Sequence, residues 1–272
     1  MSLLLPLALA SAGEPPHYRQ AKPAPGSKSH LDTQLGSWWN VCVDGNSLYA
    51  HWIKAPLQTE GQAGKLLSAY LMSTANVAIP GQTWKNMRDK PEDADNMWLE
   101  GKRNLLIVGE DTNAAGTEDS IEEIVATAKG YLADREAKHK WDKVILCGAL
   151  PIYPYGNAEK AAYQSPRILE ISNALKADTD LYDVYVDFRA FAPEWFTART
   201  NYRAKFMDSL DTCFKDQATQ AADGIHPIGA PRERMGDALA AAIRKAVLGK
   251  GSAPGITVGT RAARLKREAT TS

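Results

Sequence analysis

The sequence predicts an α/β protein in which helices cover both faces of a parallel sheet. Two patterns support this fold class: short apolar runs recur along the chain, and longer segments with helical periodicity separate them. Strands that alternate with helices are joined by right-handed crossovers, which place helices on both faces of the sheet. The composition, 44% hydrophobic and 24% charged, supplies enough apolar mass for a full core.

Five brief runs rich in β-branched or aromatic residues are predicted as strands. They are WWNVCV (38–43), ANVAI (75–79), LLIV (105–108), VILCG (144–148) and DVYVDF (183–188). Cys42 and Cys147 lie in two of these runs and are expected to be buried, unreactive thiols. No CxxC pair indicates a zinc site or a disulfide framework.

Three segments show the periodicity of helices that bury one face. Their apolar positions are Ile121, Ile124, Val125, Ala128 and Leu132 in the first, Ile168, Ile171 and Leu175 in the second, and Met235, Leu239, Ile243 and Val247 in the third. Gly249 follows the third segment and predicts the end of that helix.

The composition at the two ends of the chain predicts a central domain with extended termini. Residues 1–36 read as an extended arm rich in Pro and Gly, 37–249 as the domain, and 250–272 as a flexible basic tail. The apolar start includes Ala10-Ser11-Ala12, which resembles a signal-peptidase site but lacks preceding basic residues. Cleaved export and an apolar arm that docks on the domain or on another subunit both stay open.

The charge balance excludes one class of partner. Lys and Arg number 32, as do Asp and Glu, so no global charge favours nucleic acid or an anionic membrane. The apolar start is too short to span a bilayer. An extracellular or virion-associated location is favoured over a cytoplasmic one.

Ligands of parallel α/β sheets bind beyond the carboxyl ends of the strands, so the segments that follow the strands are the candidate site. Ser47 follows the first strand, at a predicted strand-to-helix turn. There a serine could act as a nucleophile, with its N–H at a helix N-terminus, or could merely cap the helix. A serine nucleophile needs a base.

The segment DGIHP (223–227) offers that base. Asp223 could orient the ring of His226 for proton transfer, although a turn that simply opens the last helix is the alternative. His51 is a rival base without an evident orienting carboxylate. Gly81 and Asn113 follow the second and third strands and could donate hydrogen bonds to an oxyanion.

Together these motifs resemble those of the SGNH hydrolases, or GDSL-like esterases, from about residue 38 to 248. The motifs are DGNSL, NVAIPGQTW, VGEDTNAAG and DGIHP. The resemblance implies a three-layer α/β/α sandwich with a five-stranded parallel sheet, the flavodoxin-like SGNH fold. It implies a catalytic triad of Ser47, Asp223 and His226, an oxyanion hole of Ser47, Gly81 and Asn113, and no metal or cofactor.

Two positions depart from the family pattern. Asn46 precedes the nucleophile, where the family commonly has Asp. In the third motif, usually Gly-x-Asn-Asp, strict spacing places Asp111 where the oxyanion donor belongs, and one extra residue is needed to use Asn113. A carboxylate would repel an oxyanion, so we favour Asn113 as the donor.

The predicted function is that of a serine esterase acting on carboxylic esters, with O-acetyl groups on carbohydrate favoured. The aromatic stretches IYPYG (152–156) and FAPEWF (191–196) could form sugar platforms or pack as core or lid. The alternative is a hydrolase-like domain that serves a structural or binding role in a larger assembly, such as a secreted complex or a virion, with its terminal arms contacting protein partners.

Overall fold

A six-stranded sheet lies at the centre of the computed structural model, which describes residues 39–50, 73–152, 158–196, 214–215 and 222–271. The strands are β1 Trp39–Gly45, β2 Ser73–Asn76, β3 Arg103–Gly109, β4 Lys143–Cys147, β5 Val184–Val186, β6 Phe214–Lys215, β7 Ala222–Pro227 and β8 Ile256–Val258. The helices are α1 Ser47–Ala50, α2 Trp84–Asp89, α3 Pro91–Asp95, α4 Ile121–Lys138, α5 Ala158–Ala177, α6 Phe188–Phe191, α7 Pro193–Phe196, α8 Ala230–Leu248 and α9 Arg261–Thr271. Single 3-10 turns occupy Ala114–Gly116 and Thr179–Leu181.

The strand order is β2-β1-β3-β4-β5-β8. All pairings from β2 to β5 are parallel, and the five strands are those predicted from the apolar runs. The predicted α/β fold class is confirmed, but the count of five strands is wrong. A sixth strand, β8, pairs antiparallel with β5 at the edge of the sheet.

Alternate residues of the central strands enter two separate cores. Val41 and Val43 face one core together with the apolar residues of α8. Cys42 faces the opposite core, which α4 and α5 fill. Both cores are closed to solvent, since these strand residues are 0% exposed. The pattern is that of a sheet with helices on both faces.

The three predicted helices are present. Ser120 caps α4 and forms a capping box with Glu123, in which each side chain accepts a hydrogen bond from the other residue's backbone N–H. Gly249, in the left-handed conformation, ends α8 as predicted. Cys42 and Cys147 are free and buried, as expected from their strands.

The segment predicted as a flexible tail instead forms β8 and α9. The guanidinium of Arg261, which begins α9, is 2% exposed and donates to Asp183 Oδ2 at 2.8 Å and to the carbonyl of Trp141 at 2.8 Å. Its Nε lies 2.9 Å from Glu136 Oε1. These long-range ion pairs fix a segment whose polar composition gave no sign of a docking site. The prediction of a flexible tail is therefore wrong.

The DGIHP segment is part of an irregular strand, in which Gly224 has φ of +65°. It lies in β7, which pairs antiparallel with β6, with Phe214 opposite Pro227. The segment does not itself form the first turn of α8, which begins three residues after Pro227, at Ala230.

Several predicted features lie outside the described residues. They are the N-terminal arm (1–36), His51 and positions 153–156 of the first aromatic stretch. Among the helices that are described, none combines the length and apolar character needed to cross a bilayer.

Replacing Arg261 with alanine should lower the free energy of unfolding by about 2–4 kcal/mol, because Asp183 then keeps only Lys143 as a cation and the Trp141 carbonyl loses its buried donor. Urea denaturation measures the change. Arg267→Ala, at an exposed arginine of the same helix, should stay within about 0.5 kcal/mol of the unaltered protein. Equal effects of the two substitutions would show that α9 does not depend on the buried ion pairs.

Candidate active site

The carboxyl ends of three neighbouring strands lie side by side. In the parallel pairing of β1 with β3, Gly45 is opposite Gly109. The segment after β2 continues alongside β1, since the Ile79 N–H donates to the Gly45 carbonyl at 3.0 Å. It therefore reaches the level at which β1 and β3 end. The loops that carry Ser47, Gly81 and Asn113 therefore leave the sheet at one edge.

Ser47 and His226 are in hydrogen-bond contact. His226 Nε2 lies 2.8 Å from Ser47 Oγ, although 179 positions separate the two residues in sequence. Ser47 is the first residue of α1, but Asn46 supplies the cap, since its Oδ1 accepts from Leu48 N at 2.9 Å. The Ser47 hydroxyl thus contacts an imidazole, as a nucleophile next to its base would.

Asp223 lies in β7, three residues before His226. Its side chain is outside the described part of the chain, and its role as the orienting carboxylate stays a prediction. The rival base His51 also lies outside it.

Asp111 and Asn113 point to different surroundings. The Asp111 carboxylate is 0% exposed and accepts hydrogen bonds from Trp84 Nε1 at 3.0 Å and Ser172 Oγ at 2.6 Å. Asn113 is only partly buried, and its Nδ2 donates to the Gln82 carbonyl at 2.9 Å. The structure thus holds the carboxylate in the interior and brings the Asn113 amide to the loop that contains Gly81.

Gly81 is exposed and has φ of +82°. This conformation is strained for residues with a side chain, so the turn requires glycine. None of the described residues accepts a hydrogen bond from the Gly81 N–H. The next residue, Gln82, anchors the loop, because its Nε2 donates to Asp44 Oδ1 at 3.0 Å and to the Gly45 carbonyl.

Sequence reasoning missed the role of Glu110. Its side chain is 1% exposed and accepts from Asn113 N at 2.7 Å, Trp84 N at 3.2 Å and Asn46 Nδ2 at 3.4 Å. These three donors belong to three different loops of the site. In the sequence, this role was indicated only by the position of the Glu110 carboxylate directly after a buried strand.

Three buried carboxyl groups lie beneath these loops. Burial raises the pKa of Asp44 to about 6, although the Tyr131 hydroxyl donates to it at 2.6 Å. Burial likewise raises the pKa of Asp111 to about 6. The pKa of Glu110 rises well above its usual range, chiefly through burial and secondarily through the neighbouring charge of Asp111.

The raised pKa of Asp111 predicts a pH-dependent stability. The folded protein binds this proton more tightly than the unfolded chain, whose Asp pKa is about 3.9. The contribution is therefore complete below about pH 4 and is lost as the pH rises through about 6. Between pH 4 and pH 7 the unaltered protein should lose about 2 kcal/mol more stability than Asp111→Asn, which cannot titrate.

Urea denaturation at several pH values checks this difference. Parallel profiles for the two proteins would contradict the burial of an ionisable group at this position.

No family model and no curated protein matches the chain. Several solved structures do match the chain. A GDSL-like lipase from Bacteroides thetaiotaomicron aligns with a TM-score of 0.52 and 17% identity, over 84% of this chain and 94% of that one. A putative acylhydrolase from Bacteroides fragilis aligns with a TM-score of 0.50 and 16% identity, over 84% and 92%.

A member of the lipolytic G-D-S-L family from Veillonella parvula also aligns, with a TM-score of 0.50 and 14% identity, over 75% of this chain and 96% of that one. Such identities establish a shared fold. The resemblance of the motifs and the likeness of the structures agree, and the chain has the fold of the GDSL-like hydrolases.

Proposed function

We propose that the chain is a serine hydrolase of carboxylic esters. The observation that carries the proposal is the 2.8 Å contact between Ser47 Oγ and His226 Nε2 at the carboxyl edge of the sheet. A serine hydroxyl is a poor nucleophile at neutral pH unless a base accepts its proton. The loops with Gly81 and Asn113 leave the same edge, which supports their assignment as oxyanion donors.

In the first half of the reaction, Ser47 Oγ attacks the ester carbonyl carbon and His226 Nε2 takes the hydroxyl proton. The carbonyl π electrons move to oxygen, and the Ser47 N–H, the Gly81 N–H and the Asn113 amide donate to the resulting oxyanion. Collapse of this tetrahedral intermediate breaks the bond to the alcohol oxygen. The protonated His226 gives its proton to that oxygen, and an acyl-serine is left.

In the second half, His226 takes a proton from water, and the hydroxide attacks the acyl-serine carbonyl. The oxyanion forms again between the same donors, and its collapse returns the proton from His226 to Ser47 Oγ. Asp223 is assigned the part of holding the ring and stabilising the imidazolium. The charges therefore balance at each step without a further reactant.

We propose that the natural substrate is a carbohydrate that carries O-acetyl groups. The aromatic stretches give it less support than the sequence suggested. Phe191 and Trp195 are partly buried and pack against the core on the α8 side, which favours core packing over a sugar platform. A chain-length series of p-nitrophenyl esters, together with acetate release from an acetylated oligosaccharide, would define the acyl group and the alcohol.

The alternative, a structural or binding role in a larger assembly, rests on the two extended arms and on the altered third motif. The C-terminal one packs on its own domain through Arg261 and so no longer supports docking on neighbours. The N-terminal arm lies outside the described residues. Deleting residues 1–35 and measuring assembly by light scattering tests what is left of this alternative.

Replacing Ser47 with alanine should lower kcat for p-nitrophenyl acetate by about 10⁴-fold or more, because no nucleophile is left to form the acyl-enzyme. Steady-state kinetics provides the measurement. Ser120→Ala removes the α4 cap, costs about 1 kcal/mol of stability, and should leave turnover unchanged. Turnover by the Ser47 variant equal to that of the unaltered protein would rule out the mechanism.

Replacing Asn113 with alanine should lower kcat by about 10²- to 10³-fold with little change in KM, since an oxyanion donor acts mainly in the transition state. Thr112→Val is the matched control in the adjacent position. The Thr112 hydroxyl is buried without a hydrogen-bond partner among the residues that the structure describes, so the valine variant should keep full activity and lose no stability. An Asn113 variant with undiminished kcat would remove this amide from the oxyanion hole.

A further inference from the structure

We propose that Glu110 is a positioning residue that holds the nucleophile turn and the two oxyanion loops in one arrangement. This inference rests on the proposed esterase function. Glu110 contacts none of the reacting groups directly. It acts through Asn46, Trp84 and Asn113, each of which belongs to a different loop of the site.

The two carboxylate oxygens of Glu110 serve different loops. Oε1 accepts from the backbone N–H of Asn113 at 2.7 Å and from Asn46 Nδ2 at 3.4 Å. Oε2 accepts from the backbone N–H of Trp84 at 3.2 Å. The N–H of Ala114 lies between them, 3.3 Å from Oε1 and 3.2 Å from Oε2. One side chain therefore joins three segments that are distant in sequence.

Each of these contacts involves a residue that carries a proposed reacting group or adjoins one in the chain. Asn46 donates to Glu110 and accepts from Leu48 N, which fixes the turn that presents Ser47. The Asn113 backbone is held by Glu110, while its side-chain amide reaches the Gln82 carbonyl.

Trp84 is the first residue of α2 and follows the loop that carries Gly81. Through these hydrogen bonds, the Glu110 carboxylate fixes the distances between the Ser47 hydroxyl and the oxyanion donors.

The number and kind of donors explain why a carboxylate occupies this position. Four N–H groups converge on Glu110, and the two oxygens of a carboxyl group can accept all of them. Burial raises the pKa of Glu110, whereas the hydrogen bonds from Asn113, Asn46 and Ala114 favour its charged form and lower that pKa. A glutamine would direct its NH₂ group at the N–H of either Asn113 or Trp84. No described residue forms an ion pair with Glu110, so the chain keeps a buried carboxylate there without a compensating cation.

Asp183 provides a matched control for a purely structural role. It too is a buried carboxylate that accepts a backbone N–H, from Val144 at 2.9 Å, and it pairs with Arg261. It immediately precedes β5 and so lies at the opposite end of the parallel strands from the candidate site. Loss of its charge should weaken the fold without disturbing the reacting groups.

The experiment compares Glu110→Gln with Asp183→Asn by urea denaturation and by steady-state kinetics on p-nitrophenyl acetate. Both variants should be less stable than the unaltered protein. Only Glu110→Gln should lose kcat, by about 10- to 100-fold, with KM within about 3-fold, because displaced donors fail chiefly in the transition state. Equal kcat for the two variants would overturn the proposal.

A second readout does not depend on activity. In Glu110→Gln, hydrogen exchange at the amides of Trp84, Asn113 and Ala114 should become at least about 10-fold faster than in Asp183→Asn. Unchanged exchange would overturn the positioning role even if the enzyme is active. Failure of the proposed function has a different signature: turnover by the unaltered protein would not exceed that of Ser47→Ala, while the exchange difference at Glu110 would persist.

Glu110→Asp serves as a second variant in case Glu110→Gln does not fold. It keeps the carboxylate, but its side chain is one methylene shorter. It should show the same split between kcat and KM with a smaller loss of kcat. An aspartate variant with the kinetics and amide exchange of the unaltered protein would also contradict the proposal.

Discussion

The in-register pairing of β1 with β3 is the constraint on which the rest of the site depends. Gly45 and Gly109 lie opposite each other, so the chain leaves both strands at the same level. Ser47 and Glu110 follow within two residues of these glycines. A slip of the pairing would separate the nucleophile turn from the loop of Asn113, whatever side chains those loops carried. The candidate site is therefore built on backbone hydrogen bonds of the sheet.

A site proposed to stabilise an oxyanion rests on three buried carboxyl groups, Asp44, Glu110 and Asp111. Their burial is unfavourable for the charged forms, and their pKa values are raised accordingly. Each accepts hydrogen bonds from groups that order the loops above. The buried carboxyl groups thus lower the stability of the fold but order the loops at the carboxyl edge of the sheet, as often happens at functional sites. The Asp111 carboxylate is held in the interior, whereas the Asn113 amide reaches the loop that contains Gly81.

Local sequence patterns were enough to predict the five parallel strands and the three long helices. The joint occurrence of the motifs and their resemblance to a family led to Ser47 and His226, whose side chains lie 2.8 Å apart. They were not enough for the C-terminal segment, because Arg261 is fixed by Asp183, 78 positions earlier in the chain. The third motif was ambiguous for a related reason. Only the three-dimensional partners of Asp111 show that its carboxylate is turned inward, and hydrogen-bond donors from separate loops do not appear in any one stretch of sequence.

Covalent trapping of the nucleophile tests the central claim most directly. Diethyl p-nitrophenyl phosphate reacts with an activated serine and leaves a diethylphosphoryl group that intact-mass and peptide mass spectrometry can locate. The account predicts one adduct per chain, on Ser47, with labelling lost in Ser47→Ala and strongly slowed in His226→Ala. An unlabelled protein, an adduct on another residue, or labelling independent of His226 would contradict it.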